Sequence, residues 1–127
     1  MDLTFQKVPP CLLAKLSGEL DLSTAPVFRE RVDQELRRTG VPNLILNLKE
    51  LTFVDSTGLG AILGRHKLIT ASGGEVFLVE VPPKVMSMLE MAGLLSVFKV
   101  ARTQEEALRL VCQGPATRGE GEPDNEE

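Results

Sequence analysis

The stretch Asn43-Leu44-Ile45-Leu46-Asn47-Leu48, followed by Leu51-Thr52-Phe53-Val54 and then Asp55-Ser56-Thr57-Gly58-Leu59-Gly60, decides the fold. A short, nearly continuous apolar run is the pattern of a strand buried on both faces. From Leu59 to Thr70, Leu59, Ile62, Leu63 and Ile69 are set against Arg65, His66 and Lys67, the two-sided pattern of an amphipathic helix. The six residues from Asp55 to Gly60 are therefore a junction between a buried strand and a helix, a place where α/β sheets often hold ligands and partners. Ser56 or Thr57 is expected as the helix N-cap, its oxygen accepting a hydrogen bond from a free amide of the first turn. Gly58 and Gly60 carry no Cβ, which leaves that backbone open to close approach by another molecule. The same features are also simply how a helix begins, and spacing alone does not choose between the two.

Working outward, the chain alternates strand and helix. Thr4 to Val8 and Cys11 to Leu16 flank Pro9-Pro10 and read as two strands joined by a turn, the first at a sheet edge. Ser23-Thr24-Ala25-Pro26 is a helix start with a hydroxyl cap and Pro in the first turn. Ala25, Phe28, Val32 and Leu36 then recur at helical spacing until Gly40 and Pro42. After the junction, Gly73-Gly74 stops the second helix and Val76 to Val79 reads as a strand. Pro82-Pro83 starts a third helix through Met91, with Gly93 at its C-cap. Val97 to Val100 is a short strand, and Thr103-Gln104-Glu105-Glu106 is a capping-box start for a last helix ending near Cys112. The expectation is an α/β domain over residues 1–112, with a mixed but mostly parallel sheet, helices packed on it and an antiparallel N-terminal pair.

Composition excludes several functions. The 127 residues suit one domain, and 43% apolar with 25% charged side chains can bury a real core. With five Phe and no Trp or Tyr, the chain has few rings on which bases could stack. Between Gly114 and Glu127 lie five acidic residues and Arg118, so the whole formal charge of −4 sits in a Gly/Pro-rich segment. Residues 113–127 are therefore expected to form an acidic, disordered tail. A neutral body with an acidic tail is a poor phosphate-backbone binder, so no nucleic acid is expected. No apolar run is long enough for a membrane span and no signal pattern opens the chain, so no membrane partner is expected either. Cys11 and Cys112 make neither a disulfide framework nor a metal cluster. Both read as small buried hydrophobes in a reducing cytoplasm. No metal or cofactor is expected.

The junction also fails as a catalytic site. Gly58-Leu59-Gly60-Ala61-Ile62-Leu63-Gly64 is one residue too long for a dinucleotide fingerprint and has no Walker Lys. Val54-Asp55-Ser56 lacks the glycine of a nucleophile elbow. The lone His66 is ten residues past Ser56 on the same helix, about 15 Å along its axis and out of reach as a general base. A single Asp gives no aspartic dyad. What remains is a hydroxyl displayed at a helix start with no base of its own, a group suited to modification by another enzyme. A phosphate there adds about −1.5 to −2 of charge, which the helix N-terminus tolerates and an apolar or acidic partner surface does not. At an effective dielectric near 20, one unit repulsion at 4 Å is about 4 kcal/mol, or about a thousandfold in affinity before solvent screening.

The run from Leu44 to Leu48 and from Phe53 to Arg65 resembles the STAS-domain anti-sigma factor antagonists, most closely the sporulation type. The similarity extends to Gly18-Glu19-Leu20-Asp21, Gly73-Gly74-Glu75 and Met91-Ala92-Gly93-Leu94, and covers roughly residues 3–112 in the family's order. It implies the STAS fold and a regulatory protein that is not an enzyme. In that family the unmodified antagonist binds an ATP-binding anti-sigma factor, which is also a serine kinase, and thereby releases a sigma factor. The kinase phosphorylates the serine after the motif Asp, here Ser56, and a phosphoserine phosphatase restores the active form. Asp21 and Asp55 match the family's acidic residues beside that serine, although either could equally be a turn or cap carboxylate. Ser23, Thr24, Thr57, Gly58 and Leu59 complete the expected partner surface, with the free protein a monomer. Thr57 is a less favoured second acceptor. Met86, Met88 and Met91 are either an adaptable surface or part of the core. A second reading is a scaffolding or ligand-binding STAS module, as in a stress-signalling complex. Nucleotide binding at the glycine-rich turn is a third, weakened by the lack of Lys or Arg before the helix.

Overall fold

The computed structural model describes residues 1–112, and the segment expected to form an acidic tail lies outside the described residues. Two strands, β1 (Asp2–Val8) and β2 (Cys11–Leu20), pair antiparallel across the Pro9-Pro10 turn, Val8 opposite Cys11 and Asp2 opposite Ser17. Helix α1 (Ala25–Thr39) then leads to β3 (Asn43–Val54), α2 (Ser56–Ala71), β4 (Val76–Val79), α3 (Pro83–Met91), β5 (Lys99–Ala101) and α4 (Gln104–Cys112). The sheet runs β1-β2-β3-β4-β5, and every pairing after the first is parallel. This is the mixed sheet expected from the alternation of patterns.

Because strand order follows chain order, the sheet has no point where the winding reverses and hence no crevice of the kind that holds dinucleotides. The junction opens onto a surface. Asn43 to Leu48 of β3 are all buried, as the unbroken apolar run requires. Leu44, Leu46 and Leu48 pack with Phe28 and Val32 of α1, Ile62 and Ile69 of α2, and Val85 and Leu89 of α3. Ile45 points the other way, into a smaller cluster with Cys11, Phe77, Val79 and Ala107, where α4 packs. Among the described residues no helix is long and apolar enough to cross a membrane.

Several local expectations are corrected. β2 does not end at Leu16 but runs on to Leu20 through register shifts at Lys15/Ser17 and Gly18/Glu19. The last strand is Lys99–Ala101, not Val97–Val100. Val97 and Phe98 sit in a turn whose amides both bond to the Leu94 carbonyl, and Phe98 is buried from that turn in a T-shaped contact with the His66 ring. α4 begins as a shifted capping box. The Thr103 hydroxyl accepts from the Glu106 amide at 3.1 Å, but the Glu106 carboxylate reaches back to the amide of Arg102 instead of Thr103. Of the cysteines only Cys11 is buried, and burial pushes its thiol up to about 11; Cys112 is exposed. The core side of α3 is Val85 and Leu89, Met86 and Met88 are half-buried, and Met91 is 87% exposed.

Candidate functional site

The carboxyl-terminal ends of β2 and β3 lie side by side, Leu20 paired with Val54. Each strand then runs into a helix start, β2 through residues 21–24 and β3 directly through Asp55. Asp55, not Ser56 or Thr57, is the N-cap of α2: it is extended, and its Oδ1 accepts from the Gly58 amide at 2.8 Å. A carboxylate has the reach and charge to hold that first-turn amide, so the two hydroxyls are left for other uses. Oδ2 of Asp55 accepts from the Leu22 amide at 3.2 Å, and the Asp55 amide donates to the Leu20 carbonyl at 3.2 Å. Asp55 thus joins the two strand ends.

The neighbouring loop is braced by its own carboxylate. Asp21 Oδ1 accepts from the Ser23 amide at 3.0 Å, the Ser23 hydroxyl at 2.8 Å and the Thr24 amide at 3.1 Å. These bonds hold the Asp21 carboxyl below its ordinary range, the Ser23 hydroxyl contributing most. The hydroxyl cap expected for α1 is corrected here. Thr24 occupies the N-cap but makes no side-chain bond into the helix. Its Oγ1 accepts instead from the Asp21 amide at 2.9 Å, so it closes the loop.

Ser56 is the first residue of α2 and is exposed, and none of the bonds that brace the turn uses its hydroxyl. Thr57 is half-buried. Asp21, Ser23, Thr24, Asp55, Ser56 and Thr57 are therefore brought into one bonded pair of turns. Gly58 and Leu59 are not at its surface. Leu59 is only 8% exposed and belongs to the core. A Cβ on Gly58 would collide with the Leu20 carbonyl oxygen, so the close approach that Gly58 permits is to this chain's own β2, not to a visitor. Gly60 is exposed with open space around it.

Sequence reasoning missed the apolar members. Leu22 is 72% exposed in the Asp21 loop, and Phe53, two residues before Asp55, is 48% exposed. Strict alternation would group Phe53 with the buried Leu51, but the register shift at Gly18/Glu19 skips Thr52 and leaves Phe53 on the open face, which the sequence pattern did not signal. Leu22 had no periodic context to mark it. His66 is occupied with Phe98, ring centroids 5.3 Å apart, and takes no part in the site.

With this arrangement in view, the comparisons with known proteins are specific. The STAS domain profile matches residues 2–107. The anti-sigma F factor antagonist of Paenibacillus polymyxa is 41% identical over 97 residues, which are 76% of this chain and 83% of that protein. The anti-sigma-B factor antagonist of Bacillus subtilis (strain 168) is 30% identical over 90 residues, 71% of this chain and 81% of that one. The solved structure of the Bacillus cell fate determinant SpoIIAA in its phosphorylated form superposes with a TM-score of 0.67 at 28% identity, covering 85% of this chain and 97% of that chain. The chain belongs to the STAS domain family, among the anti-sigma factor antagonists.

Proposed function

We propose that this chain docks on an ATP-binding anti-sigma factor, releases the sigma factor held there, and is switched off when that same partner phosphorylates Ser56. The observation that carries the reading is an exposed serine hydroxyl at the first position of α2, left free because Asp55 does the capping. In this reading the general base comes from the kinase, because the Asp55 and Asp21 carboxylates are occupied in bracing the two turns. The γ-phosphoryl group of ATP is transferred to Ser56 Oγ, the hydroxyl proton passes to the kinase base, and ADP leaves.

The inhibition is electrostatic. A dianion at the helix start is favoured by the macrodipole, so α2 survives. It also stands beside the Asp55 and Asp21 carboxylates and faces a partner surface that had closed over an uncharged alcohol. Asp21, Ser23, Thr24, Asp55 and Thr57 make up the rest of the docking surface, with Gly58 and Leu59 shaping it from beneath. A phosphoserine phosphatase resets the switch, and the free chain is a monomer in the cytoplasm. The ligand-binding alternative has less support. A groove of about 330 Å³ lined by Leu36, Val41, Leu68 and Ile69 lies toward the far end of α2, with Ser72 on its rim. At 1.5 Å rise per residue that end is about 24 Å from Ser56.

Binding of three proteins to the anti-sigma factor of the same organism, in the presence of ATP, tests the proposal. Ser56→Ala is expected to stay bound, the wild type to be released as it is phosphorylated, and Ser56→Asp to bind weakly from the outset. Equal binding by all three contradicts the switch.

A further inference from the structure

Leu22 stands out among the exposed apolar side chains because its backbone is held fixed. It is 72% exposed, yet its amide is bonded to Asp55 Oδ2 and the loop around it is closed by Asp21 and Thr24. A leucine in a mobile loop must be ordered before it can bind, and that ordering subtracts from affinity. Leu22 is already ordered. It follows Leu20, which pairs with Val54, and its amide bond to Asp55 Oδ2 ties its backbone to the residue that precedes Ser56. Phe53, 48% exposed, lies just before the turn on β3. The surroundings are acidic: Asp21 and Asp55 brace the two turns, Glu19 is the strand partner of Phe53, and the Ser23 hydroxyl holds the Asp21 carboxyl below its ordinary range. Among the described residues none of these three carboxylates makes a salt bridge.

We infer that Leu22 is the apolar anchor of the docking surface, with Phe53 as its flank. This rests on the proposed function and adds the partner's chemistry. The complementary surface is an apolar recess that takes the Leu22 side chain, rimmed by Arg or Lys side chains that meet the acidic groups. A buried apolar centre inside a charged rim is the arrangement that concentrates binding energy. It also explains why a phosphate on Ser56 would be effective: the charge is placed at the edge of the contact that must lose water.

The experiment measures unphosphorylated complex formation, by calorimetry without ATP hydrolysis, between the same organism's anti-sigma factor and four proteins. These are the wild type, Leu22→Ala, Phe53→Ala and Leu68→Ala, the last altering an exposed leucine of α2 outside the surface. Thermal melting confirms that each is folded. Leu22→Ala is expected to weaken binding at least about tenfold, Phe53→Ala less, and Leu68→Ala less than about twofold. Wild-type affinity is expected to fall as salt is raised. Tight wild-type binding that Leu22→Ala leaves unchanged, or that does not respond to salt, overturns the anchor and leaves the proposed function standing. No binding by the wild type overturns both.

Discussion

The carboxylate of Asp55 and the amide of Leu22, 33 positions apart in sequence, are joined by a 3.2 Å hydrogen bond that ties the start of α2 to the loop leading into α1. The other oxygen of the same carboxylate caps α2 through the Gly58 amide at 2.8 Å. One side chain thereby positions the serine and its neighbouring loop together. Asp55→Ala removes both bonds. It is expected to destabilise the fold by about 0.5–2 kcal/mol, the usual range for a lost cap, and to speed amide exchange at Leu22 and Gly58 together. Exchange that rises at Gly58 alone would mean the loop is held by other contacts.

Gly58 sits where β2 passes beneath the turn. Alanine there would drive its Cβ into the Leu20 carbonyl oxygen and press on Val54. The neighbour is backbone and cannot step aside cheaply, so Gly58→Ala is expected to cost about 1–3 kcal/mol by denaturant unfolding. Gly60→Ala, with open space around it, should be neutral or slightly stabilising through helix propensity. Equal effects at the two positions would refute this account of the turn.

Arg65 on α2 is only 7% exposed, and its Nε lies 3.0 Å from Asp33 Oδ1 on α1. The contact is an ion pair and not an aligned hydrogen bond, and Arg65 Nη1 has no partner among the described residues. The pair is asymmetric, because the Asp33 side chain retains access to water. Asp33→Ala would strand a buried cation and is expected to cost about 3–5 kcal/mol, whereas Arg65→Met replaces it with apolar volume and should change stability by less than about 1 kcal/mol. Chemical denaturation of both variants checks the order. The reverse order would contradict it.

Asp21 gives the site a pH dependence of known sign. Its folded carboxyl is held below the ordinary value of 3.8, chiefly by the Ser23 hydroxyl and then by the Thr24 and Ser23 amides. The loop stability it supplies is therefore complete above that value and lost as the pH falls through the lowered one. A Ser23→Ala variant should titrate Asp21 closer to 3.8 when followed by carboxyl NMR. An unchanged titration would remove the hydroxyl from the account.

Much of this was legible in the sequence, and the misses have physical causes. The buried run of β3 and the two-sided pattern of α1 carry the fold, because burial on one face or two leaves a period that can be counted. The polar face expected on α2 is corrected at Arg65, which is buried against Asp33 of α1 while Leu68 is exposed. Asp55-Ser56-Thr57 offers three capping side chains in a row, and spacing cannot say which oxygen meets the Gly58 amide. The run Val97-Phe98-Lys99-Val100 has strand composition, but Phe98 reaches the core from a turn. Leu22 lies in a loop, where periodicity assigns no face; its fixed backbone depends on a hydrogen bond to Asp55, 33 positions away, together with the local bonds of Asp21 and Thr24. The strand–helix junction was visible, whereas the way Asp55 and Asp21 divide the bracing between them was not.

The central claim is that Ser56 is the group whose charge controls docking. The most direct measurement incubates the chain with ATP and the anti-sigma factor proposed as its kinase, maps the modified residue by mass spectrometry, and compares the affinity of the modified and unmodified forms. One phosphate, on Ser56, is expected, with an affinity that collapses while the fold stays intact. A phosphate on another residue, or a Ser56-phosphorylated chain that binds as tightly as the unmodified one, would contradict it.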